Sequence, residues 1–234
     1  MNKTIFLDPG HGGVDPGAVN GARFESHDNL RLGRRVQALL ERQAGVNVAM
    51  SRTLDVFVSL GDRTNHANRV GADLFVSLHR NGFTSPAANG FENWIFTTAS
   101  AVDEGAAREV LERVIEVGVQ SNRGIKRGNF HVLRESRMPS ILVELGFITN
   151  TRDNELFDTH FEAYAQAVAR GACAALGITF SGEAPRQLAR IQLGAYTWPD
   201  NEAGARRDLA RIRALPGLQD AWLVIPSNDR AERD

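Results

Sequence analysis

Two histidines and two glutamates of this 234-residue chain stand where they could meet. Three segments end an apolar run on an ionisable side chain: Ile5-Phe6-Leu7-Asp8-Pro9-Gly10-His11, Leu74-Phe75-Val76-Ser77-Leu78-His79 and Ile141-Leu142-Val143-Glu144. If these runs are strands of one open α/β sheet, their carboxyl ends face the crevice where such folds bind ligands. His11, His79 and Glu144 then converge on one rim, and Glu25, in the connection between the first strand and its helix, opens on the same rim. Two His and one Glu form a ligand set of catalytic zinc that leaves the fourth position to water. The remaining Glu is then free to act as general base. Each residue also has a plainer reading. His11 lies among glycines that suit a turn, His79 fits a satisfied core histidine, and Glu25 fits an acid favoured by a helix dipole. Glu144 is harder to dismiss, because a carboxylate directly after Ile-Leu-Val is costly to bury unpaired and such groups gather at functional sites. Spacing alone leaves both readings open.

The elements that must position these residues follow from periodicity. Short apolar runs at 5–7, 46–50, 74–78, 94–96, 130–133 and 141–143 predict strands. Between them, Leu32, Val36, Leu39 and Leu40 predict one amphipathic helix, and Ala107, Val110, Leu111 and Val114 a second. Phe161, Tyr164, Ala165, Val168 and Ala172 predict a third, and Ser59-Leu60-Gly61-Asp62 has the form of a helix start. The alternation predicts an α/β fold: a twisted, mostly parallel sheet of about six strands with helices on both faces. The pattern breaks at Thr179-Phe180-Ser181-Gly182-Glu183-Ala184-Pro185. The expected organisation is a catalytic domain over 1–178, a linker over 179–187 and a small βαβ unit over 188–234.

Composition narrows the function. Lys+Arg 27 against Asp+Glu 28 gives a net charge of -1 and no electrostatic footprint for nucleic acid. Cys173 is the single cysteine, which excludes a disulfide framework or a cysteine-rich metal site, and its apolar helical setting reads as a packed thiol. Asp15 stands where a dinucleotide fingerprint needs its third glycine. No Walker lysine follows the glycine loop, and no Gly-x-Ser-x-Gly elbow occurs. No apolar run approaches a membrane span. A secretory signal is not visible at the start, so a protein kept in the cytoplasm or released by lysis is expected.

The motifs resemble zinc-dependent N-acetylmuramoyl-L-alanine amidases of the amidase-3 type. The likeness begins with Asp8-Pro9-Gly10-His11-Gly12-Gly13 and Asp15-Pro16-Gly17-Ala18, and continues through Glu25, Asp28-Asn29-Leu30, Ser51-Arg52-Thr53 and Asp62-Arg63. It runs on through Ala72-Asp73-Leu74-Phe75-Val76-Ser77-Leu78-His79, Asn129-Phe130 and Val132-Leu133-Arg134, and closes at Val143-Glu144-Leu145-Gly146-Phe147-Ile148-Thr149-Asn150. The resemblance implies a hydrolase that cuts the amide between N-acetylmuramic acid and L-Ala in peptidoglycan, in cell-wall lysis or remodelling. By that resemblance His11, Glu25 and His79 ligate zinc and Glu144 is the catalytic carboxylate. Arg80, Asn81, Phe130 and His131 are expected along the substrate groove. Arg80 departs from the small residue usual after the second histidine, and its guanidinium is expected to hold a stem-peptide carboxylate. The segment Ile191-Gln192-Leu193-Gly194-Ala195-Tyr196 resembles half of a sporulation-related peptidoglycan-binding repeat. A lone half-module is expected to pair with a second copy, giving a homodimer that covers its strand edges. The rival readings are a non-catalytic wall-binding protein and another zinc peptidase or deacetylase on the same scaffold.

Overall fold

A computed structural model describes residues 2–181. The unit is built on a six-stranded sheet. Its strands are β1 (Lys3–Pro9), β4 (Val46–Met50), β5 (Leu74–Asn81), β6 (Phe91–Phe96), β7 (Asn122–Gly128) and β8 (Ser140–Phe147), and a small hairpin is formed by β2 (Val19–Asn20) and β3 (Arg23–Phe24). The strand order is β4-β1-β5-β8-β6-β7, and only the β6–β8 pair is antiparallel. Helices α1 (Glu25–Leu40), α2 (Leu60–Arg69), α3 (Ala101–Val117), α4 (His131–Arg134), α5 (Thr151–Thr159) and α6 (Phe161–Ala175) complete the described chain. The mostly parallel α/β sheet anticipated from the hydrophobic pattern is the one observed.

The strand pleat sorts side chains onto two unlike faces, because successive residues point to opposite sides. Ile5, Leu7, Leu74, Val76, Ile141 and Val143 are buried together with Leu32 and Val36 of α1, Val110 and Val114 of α3, and Val168 and Ala172 of α6. Each such residue contributes roughly 1.5–3 kcal/mol on burial, which makes this layer the main source of stability. On the other face Phe6, Phe75 and Leu142 pack with Ala67 of α2 and Val132 and Leu133 of α4. That second layer is smaller. Phe75, Ser77 and His79 lie along one face of β5, opposite Ser140, Leu142 and Glu144 of β8. The apolar cluster covers the early part of this face, and His79 and Glu144 stay partly accessible beyond it.

The three amphipathic stripes lie on α1, α3 and α6, and Ser59 caps α2 by accepting a hydrogen bond from the Asp62 N–H. One strand expectation fails. Residues 130–133 form no strand: Phe130 is the N-cap of α4, and Val132 and Leu133 face the minor core from one helical turn. The edge strand is instead β7, Asn-Arg-Gly-Ile-Lys-Arg-Gly, in which Ile125 is the lone large apolar residue. An edge strand with one solvated face carries too little apolar signal to compete with Phe-His-Val-Leu. Cys173 is fully buried in α6, and burial pushes its thiol up to about 11, in keeping with a packed rather than reactive group. Among the described residues no helix is long and apolar enough to cross a membrane.

Candidate active site and metal centre

Glu25 is the first residue of α1 and is almost fully buried. Its Oε1 accepts hydrogen bonds from the Asn29 side chain at 3.2 Å and the Arg80 N–H at 3.1 Å, and its Oε2 accepts one from the Ala18 N–H at 2.9 Å. His79 Nδ1 lies 2.8 Å from Oε1, and His11 Nε2 lies 3.3 Å from Oε2. The two imidazole rings stand nearly perpendicular, with centroids 4.9 Å apart. One ligand atom from each of His11, Glu25 and His79 falls within 4.8 Å of the others. Burial alone would raise the Glu25 pKa, but the two histidines hold it far below the usual carboxylate range.

The loop that presents His11 is held by side chains from elsewhere in the sequence. Arg52 donates to the carbonyls of Pro9 (2.9 Å), Gly10 (2.9 Å) and Ser26 (2.7 Å). Arg63, paired with the buried Asp8 at 2.7 Å, donates to the carbonyls of Pro9 and His11, each at 2.8 Å. His11 itself has φ 59°, a conformation that a non-glycine residue keeps only when its surroundings impose it. Gly17 makes room for the cluster: a Cβ there would lie 2.6 Å from both Glu25 Oε2 and the His11 ring, and its φ is +67°. Asp15 Oδ2 sits 2.8 Å from His11 Nδ1 and accepts its proton in a hydrogen bond, which leaves Nε2 on the side of Glu25 and His79. Asp8, Asp15, Arg52 and Arg63 were not singled out for roles from sequence. The only local signal was the four-residue spacing of His11 and Asp15.

Glu144 and His79 are directly paired positions of β8 and β5, so both side chains leave the same face. Glu144 Oε2 is shut off from solvent and has no hydrogen-bond partner. Burial, and then the negative charges of Glu25 and Glu92, push its pKa well above the ordinary value. Glu92 of β6 pairs with Glu144 on the other side and extends the row His79–Glu144–Glu92 across three strands.

The remaining sequence-predicted residues lie in different places. Phe130 is 39% exposed and sits edge-on to Trp94, at 5.2 Å between centroids. His131 is half-buried, and its Nε2 has no partner. Asn81 donates 2.9 Å to Glu92 Oε1. Arg80 overturns its expectation. Strand alternation turns it away from His79 to the helix-covered face, where its side chain is 0% exposed. It bonds Asp28 and Asn154 at 2.7 Å each and lies 4.2 Å over the Phe157 ring, leaving no surface for a substrate carboxylate. Burial lowers its pKa to about 10.

Residues 5–176 match the model of the amidase-3 family, described as N-acetylmuramoyl-L-alanine amidase. The chain belongs to that family. The sporulation-specific N-acetylmuramoyl-L-alanine amidase of Bacillus subtilis is 38% identical over 195 residues, which cover 82% of this chain and 74% of the relative. The amidase CwlM of Bacillus licheniformis is 38% identical over 194 residues, covering 82% and 75%. Among solved structures, an N-acetylmuramoyl-L-alanine amidase of Clostridium difficile 630 superposes with a TM-score of 0.72 at 35% identity, covering 75% of this chain and 97% of that one. The amidase-3 chain is thus an enzyme of peptidoglycan hydrolysis, and both rival readings, the non-catalytic binder and another zinc hydrolase, fall away.

Proposed function

We propose that the chain is a zinc-dependent amidase that cleaves the bond between N-acetylmuramic acid and L-Ala of peptidoglycan, with His11, Glu25 and His79 as metal ligands and Glu144 as general base and acid. The observation that carries this reading is the pairing of two unlike carboxylates. Glu25 lies between the two imidazoles, at 2.8 Å from His79 and 3.3 Å from His11, while Glu144, paired with His79 one strand away, has a carboxylate oxygen with no hydrogen-bond partner. Surroundings that differ in this way assign two acids different tasks.

The donor set suits zinc. It has two imidazole nitrogens and one carboxylate, with the far nitrogen of His11 fixed by Asp15, as catalytic zinc histidines commonly require. Bound there, zinc supplies Lewis acidity, polarising the scissile carbonyl and lowering the pKa of water toward ~7. Glu144 would accept a proton from the attacking water and return it to the departing nitrogen of L-Ala. The rigid clamp of Arg52 and Arg63 holds His11 in place without the metal. For residues 188–234 we propose a wall-binding role, supported by the resemblance of residues 191–196 to half of a peptidoglycan-binding repeat.

The test uses Glu144→Gln and purified cell walls. The variant should bind zinc like the parent while kcat falls by ~10²–10⁴. In the parent, a chelator should stop release of new amino-terminal L-Ala, and added zinc should restore it. Undiminished turnover in the variant would exclude Glu144 as the proton carrier, and hydrolysis that resists chelation would exclude the metal.

A further inference from the structure

Beyond Glu144 the catalytic face continues into a cationic corner. Glu92, only 2% exposed, stands across from Glu144 and is tied down on four sides. Asn81 and the Trp94 indole N–H donate to its Oε1, at 2.9 and 3.0 Å. Arg123 Nε and Lys126 Nζ both reach its Oε2 at 2.6 Å. Two cations on one carboxylate leave a net charge of +1. The side chains of Arg123 and Lys126 are 35% and 32% exposed. Arg123 Nη2 has no hydrogen-bond partner among the described residues, and its guanidinium lies 5.0 Å over the Phe147 ring. Lys126 lies over Trp94 at 5.5 Å, and Trp94 in turn meets the exposed Phe130. Register puts Lys126 beside Trp94, on the face that carries Glu92 and Glu144.

From this geometry we propose that Arg123 and Lys126 form the subsite for a carboxylate of the stem peptide, with Trp94 and Phe130 as its apolar wall. The proposal rests on the amidase reading above and names the substrate feature which that reading leaves open. The glycan of peptidoglycan brings no carboxylate of its own at this point, whereas the residue after L-Ala carries a carboxyl group that is free in some walls and amidated in others. β7 lies about two strand spacings, roughly 10 Å, from β8, and both cationic side chains reach back over β6 toward Glu144. Two residues of extended peptide span about 7 Å, so a carboxylate on the second residue falls within reach of both heads. Glu92 serves as the anchor that fixes the two cations, and a guanidinium and an ammonium together suit a carboxylate better than its amide.

The experiment compares muramoyl tripeptides with a free or an amidated carboxyl on the second residue. Binding is read by calorimetry in the Glu144→Gln background, and turnover in the otherwise unaltered protein. The unaltered protein should prefer the free acid. Arg123→Gln with Lys126→Gln should weaken binding of the free acid by ~10–100-fold and leave binding of the amidated ligand nearly unchanged. Lys126→Arg should keep the preference, and zinc content should stay constant throughout. Equal affinity of the parent for both ligands, or an equal loss on both in the double variant, would overturn the subsite. A protein that binds the free acid selectively yet releases no L-Ala end would sink the catalytic reading and leave the subsite standing.

Discussion

At the scale of single residues, the site works by placing like groups in unlike surroundings. His11 shows the balance. Burial lowers its pKa, but the hydrogen bonds and charges of Glu25 and Asp15 outweigh that effect and raise it above 6.5. In the metal-free protein the protonated ring therefore stabilises the fold fully below the unfolded value of 6.5, and the contribution is lost as pH rises through the higher folded value. Zinc requires the neutral ring, so its binding competes with this proton. Zinc affinity should fall as pH drops through the raised pKa, with protons released on binding, as calorimetry in buffers of different ionisation enthalpy would detect. Asp15→Asn should lower zinc affinity by ~10–100-fold, because His11 loses the acceptor that fixes its tautomer. An affinity that is flat with pH, or unchanged in Asp15→Asn, would contradict this account.

At the scale of elements, buried arginines hold the parts of the site in register. Arg80 links β5 to α1 through Asp28 and to α5 through Asn154, while its own N–H holds Glu25. Asp28 also pairs with Arg23 of β3 at 2.7 Å, so hairpin, helix and strand meet at one carboxylate. Removing one partner of a buried ion pair strands the other charge and costs about 3–5 kcal/mol. Arg80→Ala should therefore lose stability of that order in denaturant unfolding, while the preference for a free over an amidated stem carboxyl persists. An unchanged unfolding midpoint together with a lost preference would return Arg80 to the substrate groove. The Arg52 and Arg63 clamp works on the same plan but acts mainly on carbonyls, with Asp8 as the buried carboxylate that holds Arg63.

At the scale of the whole domain, unequal covering of the sheet leaves the site open. Helices α1, α3 and α6 cover one face with an extensive apolar core, and the second face has only the small cluster beneath α2 and α4. The uncovered end of that face carries His79, Glu144 and Glu92 side by side, and Lys126, paired with Trp94, reaches Glu92 with its ammonium. At the start of the expected linker, Phe180 packs on the domain and Ser181 bonds Gln43. Residues 182–234, with most of that linker, the small unit and the homodimer contact, lie outside the described residues. If they anchor the enzyme to its substrate, a chain ending at residue 181 should retain turnover of soluble muropeptides and lose co-sedimentation with insoluble walls. Equal sedimentation of both forms would remove the anchoring role.

Much of this molecule was legible without coordinates, because the signals concerned are local. Apolar runs marked five of the six sheet strands, helical stripes marked α1, α3 and α6, and Ser59 announced α2. His11, His79 and Glu144 were visible because each closes a segment that opens on an apolar run, and Glu25 because it is an acid in the connection to the first helix. What tertiary structure decided was orientation and neighbourhood. A single step along β5 sends His79 to the open face and Arg80 into the helical layer, and no composition rule tells an outward arginine from one that finds Asp28 fifty-two residues away. The edge strand β7 was hidden for the same reason. Arg123 and Lys126 of that strand matter only through Glu92, and strand pairing, which is non-local, is what brings those three groups together beside Glu144.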